Sequence, residues 1–584
     1  MNTIINNEYK FNVPNRNYLS WMIYDNHTFQ QITNQEILNK ISPFEQKLLN
    51  DDVFIFNELN EIQIIHSITR LTQNIPAVLI LDGNKSYGRH NKSKLYYKCI
   101  PDDVRLPLFL VPYEINGGFL KVFQNKYVTI NFTSWSQKQP YATISQTIGD
   151  VNILDNFYEY QLYCKSLNYS IQNFQKQASK CITKYGDNFS QLFSEIINKY
   201  PSIEDRTHIN VITIDTIKTT DFDDAFSYTR LSDGTHKISI YISNVSLLLD
   251  HFNLWESFSN RIATIYLPDK KRPMLPTILS DNLCSLHAGM MRVALTLDIH
   301  INEEYEIIST NYLNSLINVS KNYIYDEPSL MKSETYIKTF NLVSKLSKKY
   351  NYINNVKNSH DVISYLMIFM NYYSATELLK YGNGIFRTNT AIGNNMKLID
   401  NTNSIPDEVK NYITIWNSSV SQYINVEEQT ETIRHTTLNI DAYIHITSPI
   451  RRLVDLLNII QLQKNLNMIE LGNETNIFYN KWIIKIEYIN TTMRNIRKVQ
   501  NECNLLAICS ANSYVCDKFY EGYCFDKMIR NGGLFQYVVY LPELKTTCKI
   551  VTRVDMEEYS KKNYKLYIFQ DEDKLKKKIR IQLL

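Results

Sequence analysis

The spacing of apolar and polar positions changes character four times along the chain. Up to about residue 155, runs such as IPAVLILDGNKSYG, KLYYKCI, LPLFLVPYEINGGF and NKYVTINFTSW alternate β-branched or aromatic residues with Gly, Asn and Asp-Gly punctuation. That pattern predicts short strands joined by turns, closing into one or two small β-barrels. Between about residues 156 and 200 the spacing becomes helical, as in FSQLFSEIINKY, and stops at Pro201, which predicts a linker. Strands return at VITIDTI and in FSYTRLSDGTHKISIYISNVS, where Asp233-Gly234 sets a hairpin turn. Residues 310–385 and 405–500 read as largely helical, with amphipathic runs such as SYLMIFMNYYSATELLKY. After about residue 512, GLFQYVVYLPELKTTCKIVTRV and NYKLYIF predict a third small barrel before the final KLKKKIRIQLL. The expected class is α+β and multidomain, with a mixed α/β domain at its centre.

Composition narrows this little. A chain of 584 residues exceeds one hydrophobic core and predicts three to five domains. With 44% hydrophobic and 21% charged residues it is a globular protein. Lys and Arg total 62 against 59 Asp and Glu, so affinity for a polyanion has to come from local basic surfaces. The start, MNTIINNEYKFNVPNRN, lacks a signal-peptide pattern and no run reaches membrane-span length, so an intracellular, cytoplasmic protein with no membrane contact is expected. Nine cysteines without a CxxC pair read as buried free thiols in a reducing compartment, not as a zinc site. Abundant Asn, Ile, Lys and Tyr point to an A/T-rich genome, a viral one included.

The chemistry is concentrated in DTIKTTDFDD, which places Asp215, Asp221, Asp223 and Asp224 within ten positions. Carboxylates that close raise one another's pKa values unless a cation keeps them ionised. Hard oxygen donors without Cys or His select Mg²⁺ or Mn²⁺. In an extended stretch Asp221 and Asp223 would project to one side and Asp224 to the other, and a bend from the Asp215 strand could wrap them around two ions that cut a phosphodiester. The other readings are a solvated acidic turn and a calcium loop. The calcium loop lacks DxDxDG spacing, and Ile212, Ile214, Phe222, Ala225 and Phe226 interleave the acids in a way that implies partial burial. A second stretch, HITSPIRRLVD, has Ser448 as an N-cap and Pro449 in the first helical turn, so that Arg451 and Arg452 open a helix and make a phosphate clamp; pairing with Asp455 is the alternative.

Together, TIDTIKTTDFDDAFS, YLPDKKRPMLPTILSDNLCSLHAGMMRVAL and HITSPIRRLVDLLN resemble the three signature stretches of the RNB catalytic domain of the ribonuclease II and ribonuclease R family, exosome-type relatives included. The resemblance implies cold-shock-like OB barrels at residues 1–72 and 73–155, a helical linker at 156–200, the RNB domain at 201–511 and an S1-like OB barrel at 512–584. It makes Asp215, Asp221, Asp223 and Asp224 the catalytic, metal-binding acids and Arg451 the residue that stabilises charge on the scissile phosphate. Arg452 becomes a further RNA-backbone contact, and Tyr266 packs on nucleotides near the 3′ end; an aromatic core cap is its plain alternative. The implied activity is processive, hydrolytic 3′→5′ degradation of single-stranded RNA to nucleoside 5′-monophosphates, with Mg²⁺ or Mn²⁺, by a monomer.

The chain departs from the family at Ile363-Ser364-Tyr365-Leu366-Met367, where paired glutamates stand in relatives, and at Phe386-Arg387-Thr388-Asn389 in place of an arginine-histidine pattern. Those changes leave open an inactive RNA-binding scaffold and a nuclease for single-stranded DNA. His445 and Arg292 read as structural, and Lys576, Lys577 and Lys578 read either as a basic RNA contact or as a solvated tail.

Overall fold

The computed structural model describes residues 7–115, 123–186, 189–350, 356–388, 405–406, 408–410, 412–413, 416, 422–428, 440–512 and 514–584. The chain divides into two compact units: Met1–Asn168, Leu267–Asp269 and Lys498–Leu584 form one, Tyr169–Tyr266 and Lys270–Arg497 the other.

The second unit is built on a six-stranded sheet. Its strands run in the order Glu204–Asp205, Ile307–Ile324, Val211–Asp215, Asp224–Arg230, His236–Ser243 and Met291–Ile301, and the long strand Ile307–Ile324 also pairs with Met291–Ile301, returning the ladder on itself. Residues 310–324 were expected to be helical and are strand instead, because IISTNYLNSLINVSKNYI is bonded along both edges, parallel to Val211–Asp215 and antiparallel to Met291–Ile301. Tertiary pairing there outweighs local preference.

Alternate residues divide between the two faces of the sheet. Ile212, Ile214, Phe226, Ile238, Ile240 and Ile242 pack in one core with Val343 and Leu346, Leu366 and Phe369, and Ile459 and Leu462. Those partners come from the helices Glu334–Lys349, Ser359–Lys380 and Leu453–Asn465. Val211, Ala225, Tyr241, Ala294 and Val319 form a smaller core on the opposite face. The helix Ser359–Lys380 starts at a capping box in which Asn358 and Asp361 each bond the other's backbone N–H.

The first unit contains three β modules. Residues 9–66 give a four-stranded sheet, and Ile75–Leu79, Leu95–Pro101, Phe109–Tyr113, Tyr141–Asp150 and Lys126–Ser134 close into a barrel. Five strands between Phe519 and Leu583 form an antiparallel sheet. The helices Leu154–Cys164 and Gln172–Ile182 follow the barrel in the chain.

All nine cysteines are free thiols. The C-terminal lysines are neither a solvated tail nor a continuous RNA-facing run. Lys576 begins the strand Lys576–Leu583, is 7% exposed, and places Nζ 2.8 Å from Asp102 Oδ1. Lys578 pairs with Asp571. Removing one partner of a buried pair leaves an uncompensated charge and costs about 3 kcal/mol or more. Asp102→Ala should therefore lower the first urea-unfolding transition by about that amount, whereas Lys577→Ala should move it by less than about 0.5 kcal/mol.

Candidate active site

Asp215 is the last residue of Val211–Asp215 and Asp224 the first of Asp224–Arg230. These strands are antiparallel neighbours with Ile212 opposite Phe226, so both acids stand at the same end of the sheet. Asp221 and Asp223 lie in the connection, beside the strand ends as the sequence pattern suggests. The Phe222 N–H donates to Ser285 Oγ (2.9 Å), while the Phe222 carbonyl accepts from Leu286 N–H (3.0 Å) and the Asp223 carbonyl from Ser243 N–H (2.9 Å). The end of the connection is thus tied to the Ser285 hydroxyl and to the backbone of Leu286 and Ser243.

The two signature stretches meet at Asp223, which is 3% exposed. Its Oδ1 accepts the Ile450 N–H and its Oδ2 accepts Arg451 Nε, each at 2.9 Å. The helix start differs from expectation. Leu453–Asn465 is the helix, with Arg452 extended at its N-cap, and residues 448–452 form a turn. Backbone bonds from Thr264 N–H to the Arg451 carbonyl (3.0 Å) and from Leu453 N–H to the Ile262 carbonyl (2.8 Å) pull this segment into a short bridge and delay the helix. Asp455, fully buried, accepts the Ser448 N–H and Arg452 Nη2, both at 2.8 Å. Arg452 is therefore held by Asp455 in this structure, whereas Arg451 keeps a 43% exposed side chain.

Burial pushes Asp223 up to about 7; Arg451 and the Ile450 N–H oppose the shift and Asp224 adds to it. Asp215 is raised by burial and then by the charge of Asp223, and Asp224 by burial and then by Asp215. For Arg451, burial opposes the guanidinium, and Asp223, Tyr266 and Asp455 together outweigh it, so its pKa lies above the ordinary arginine value.

The acids fit a divalent cation by their chemistry. Asp215 Oδ2 is buried without a hydrogen-bond partner, and three of the four carboxylates are held above their ordinary pKa, with Arg451 the one cation that opposes the shift in each. Oxygen donors of this kind suit Mg²⁺ or Mn²⁺. Among the described residues no three His, Cys, Asp or Glu side chains already converge on one point, so side-chain rotation has to complete the ligand set.

Tyr266 lies beside Asp221: its hydroxyl is 3.3 Å from Oδ2 and the residue is 39% exposed, not a core cap. Sequence reasoning missed Lys271, which bonds Asp221 Oδ1 (3.0 Å), and Tyr325, whose N–H donates to the Asp215 carbonyl (3.0 Å). The Tyr325 hydroxyl is raised by burial and then by Asp224 and Asp215. Its ring stacks on His360 with centroids 3.6 Å apart. A KKR run was the only signal for the first, and the parallel pairing of Asp215 with Ile324 hides the second from any local pattern.

At the positions where the family resemblance implies glutamates, Tyr365 is fully buried and donates to the Tyr350 carbonyl (2.8 Å), and Ser364 is exposed. Asn389 lies outside the described residues. Arg387 Nη1 is 2.8 Å from His445 Nε2, and Arg292, 1% exposed, donates to the carbonyls of Ser285, Asn282 and Met291. Both His445 and Arg292 sit in structural hydrogen-bond networks.

With this geometry in place, the RNB domain family matches residues 203–336 and 330–468. The match lies within residues 203–468, less than half of the 584-residue chain. The chain is 32% identical over 155 residues to the mouse exosome complex exonuclease RRP44, covering 25% of this chain and 16% of that protein. The matched stretch is thus a small part of that relative's length. Among solved structures, Mycoplasma genitalium RNase R in complex with ribose methylated single-stranded RNA superposes with a TM-score of 0.67 at 14% identity, covering 98% of this chain and 100% of that one. Yeast Ssd1, a pseudonuclease, gives 0.57 at 13% identity over 93% of this chain and 78% of its own. The fold is that of an RNB domain accompanied by OB-type β modules.

Because the folded pKa of Asp223 stands near 7 and those of Asp215 and Asp224 are raised, while an unfolded aspartate titrates near ~3.9, the stability these acids contribute is complete below about pH 4 and lost as pH rises through 7. In EDTA the melting temperature should fall between pH 5 and pH 8, and Mg²⁺ should raise it more at pH 8 than at pH 5. Equal Mg²⁺ effects at both pH values would contradict this. Asp215→Asn should raise the cation-free melting temperature at pH 8 by about 2 °C or more, read by calorimetry.

Proposed function

We propose that the chain is a divalent-cation-dependent exoribonuclease that hydrolyses single-stranded RNA from its 3′ end, processively, to nucleoside 5′-monophosphates. The observation that supports this best is the grouping of half-buried Asp215 and Asp224 with buried Asp223, which Arg451 pairs, with one buried Asp215 oxygen left unpaired. Likeness to named exonucleases and to an RNase R solved with single-stranded RNA adds weight from the fold.

Asp215, Asp221, Asp223 and Asp224 are the residues that would hold one or two cations, which when bound lower the pKa of a water and offset charge on the leaving oxygen. The rest is work for the chain's own side chains. Arg451, half-exposed and fixed by Asp223 and by Ser448 Oγ (2.8 Å), presents its guanidinium to charge developing on the scissile phosphate. Losing such a contact costs on the order of 3 kcal/mol in the transition state, a hundredfold or more in rate. Tyr266, exposed beside Asp221, offers a ring on which a base of any identity can stack.

The likeness to yeast Ssd1 favours one second reading, an RNA-binding scaffold without activity. Buried Tyr365 in place of a carboxylate also bears on the choice between RNA and DNA. A 5′-labelled single-stranded RNA and its DNA counterpart, incubated with Mg²⁺ or Mn²⁺, separate these. The exoribonuclease shortens the RNA from its 3′ end to a short end product, the scaffold binds RNA and leaves it intact, and shortening of DNA alone points to a DNA nuclease. Asp224→Asn should lower cleavage at least a hundredfold while RNA affinity stays within about twofold. It tests the acids more cleanly than Asp223→Asn, whose amide would set a donor against Arg451 Nε–H.

A further inference from the structure

The acids are not all matched in the same way. Asp221 is 10% exposed at its side chain, and the hairpin Ile265–Tyr266 with Lys271–Arg272 takes up both of its oxygens. Tyr266 and Lys271 face each other across that hairpin. Lys271 Nζ lies 3.0 Å from Asp221 Oδ1, 2.9 Å from Asp281 Oδ1 and 2.7 Å from Thr220 Oγ1, so each of the three ammonium hydrogens has an acceptor. The Tyr266 hydroxyl bonds the other Asp221 oxygen. Asp215, by contrast, keeps a buried oxygen with no partner. The cationic side chains on these acids are therefore Arg451 at Asp223 and Lys271 at Asp221.

A divalent cation that recruits Asp221 meets Lys271 at Oδ1 and Tyr266 at Oδ2, and the ammonium charge opposes its own there. Lys271 cannot diffuse away, since Asp281 and the hairpin hold it within reach. We propose that Lys271 is a tethered competitor for the divalent cation: its ammonium occupies Asp221 until a cation arrives and so sets the affinity with which the acids take one. Lys271 is in this sense a positioning residue. The inference rests on the reading of the acids as cation ligands.

The sign of the effect separates competition from a merely structural role. If Lys271 only kept the acidic connection in shape, its loss would weaken cation binding; if it competes, its loss strengthens it. Mn²⁺ titrated calorimetrically into the full chain without RNA reads this directly. Lys271→Met, and Lys271→Gln as a second neutral variant should the first melt early, should lower the apparent Kd for Mn²⁺ by about fivefold, the size of one strong partly exposed ion pair. Lys271→Arg, which keeps the charge, should retain the wild-type value within about twofold. Unchanged or weaker Mn²⁺ binding in the folded neutral variants overturns the competition while leaving the proposed nuclease intact. Wild-type protein that takes up no Mn²⁺ removes both.

Discussion

The structure of this site follows from a mismatch of charge. Three carboxylates, buried Asp223 and half-buried Asp215 and Asp224, crowd one end of a sheet where Arg451 is the positive group that acts on all three. Burial and mutual repulsion raise all three toward neutrality, and the arginine bond to Asp223 relieves only part of the strain. A protein keeps such an arrangement at a cost in stability when something it binds supplies the missing charge. In the proposed function a divalent ion would do so, the same ion that a phosphodiester hydrolase needs.

Everything around the acids serves to hold them in that position. The adjacent antiparallel strands put Asp215 and Asp224 side by side, and the isoleucines that alternate with them anchor those strands in the helix-covered core. Ser285, Leu286 and Ser243 fix the connection that carries Asp223. The turn before Leu453–Asn465 brings Ile450 N–H and Arg451 to the same carboxylate across more than two hundred residues of sequence. Asp455 holds that turn in place by accepting both Ser448 N–H and Arg452, so the second arginine of the motif supports the first.

How much of this the sequence could show depended on how local the cause was. Four aspartates in ten positions are a local fact, and so are the alternating strands around Asp233-Gly234; both were legible. The strand at residues 310–324 was not, because its pairing partners lie across the sheet. The helix start was misjudged for a related reason: Ser448 and Pro449 carry a capping pattern, yet bonds from residues 262–264 claim the backbone there. Lys576 looked like part of a charged tail because its partner, Asp102, is more than four hundred positions away. Lys271 and Tyr325 came to the site through a hairpin and a parallel ladder, which leave no periodic trace.

The central claim is that the buried acids are kept ionised by a bound divalent ion. The most direct measurement is the anomalous diffraction of crystals grown in Mn²⁺ and, in parallel, in EDTA. The account predicts an anomalous peak within coordination distance of Asp215 and Asp224 carboxylate oxygens, with Arg451 still on Asp223 or turned toward the peak. Acid side chains turned outward to solvent, with no anomalous density near Asp215 in millimolar Mn²⁺, would contradict it.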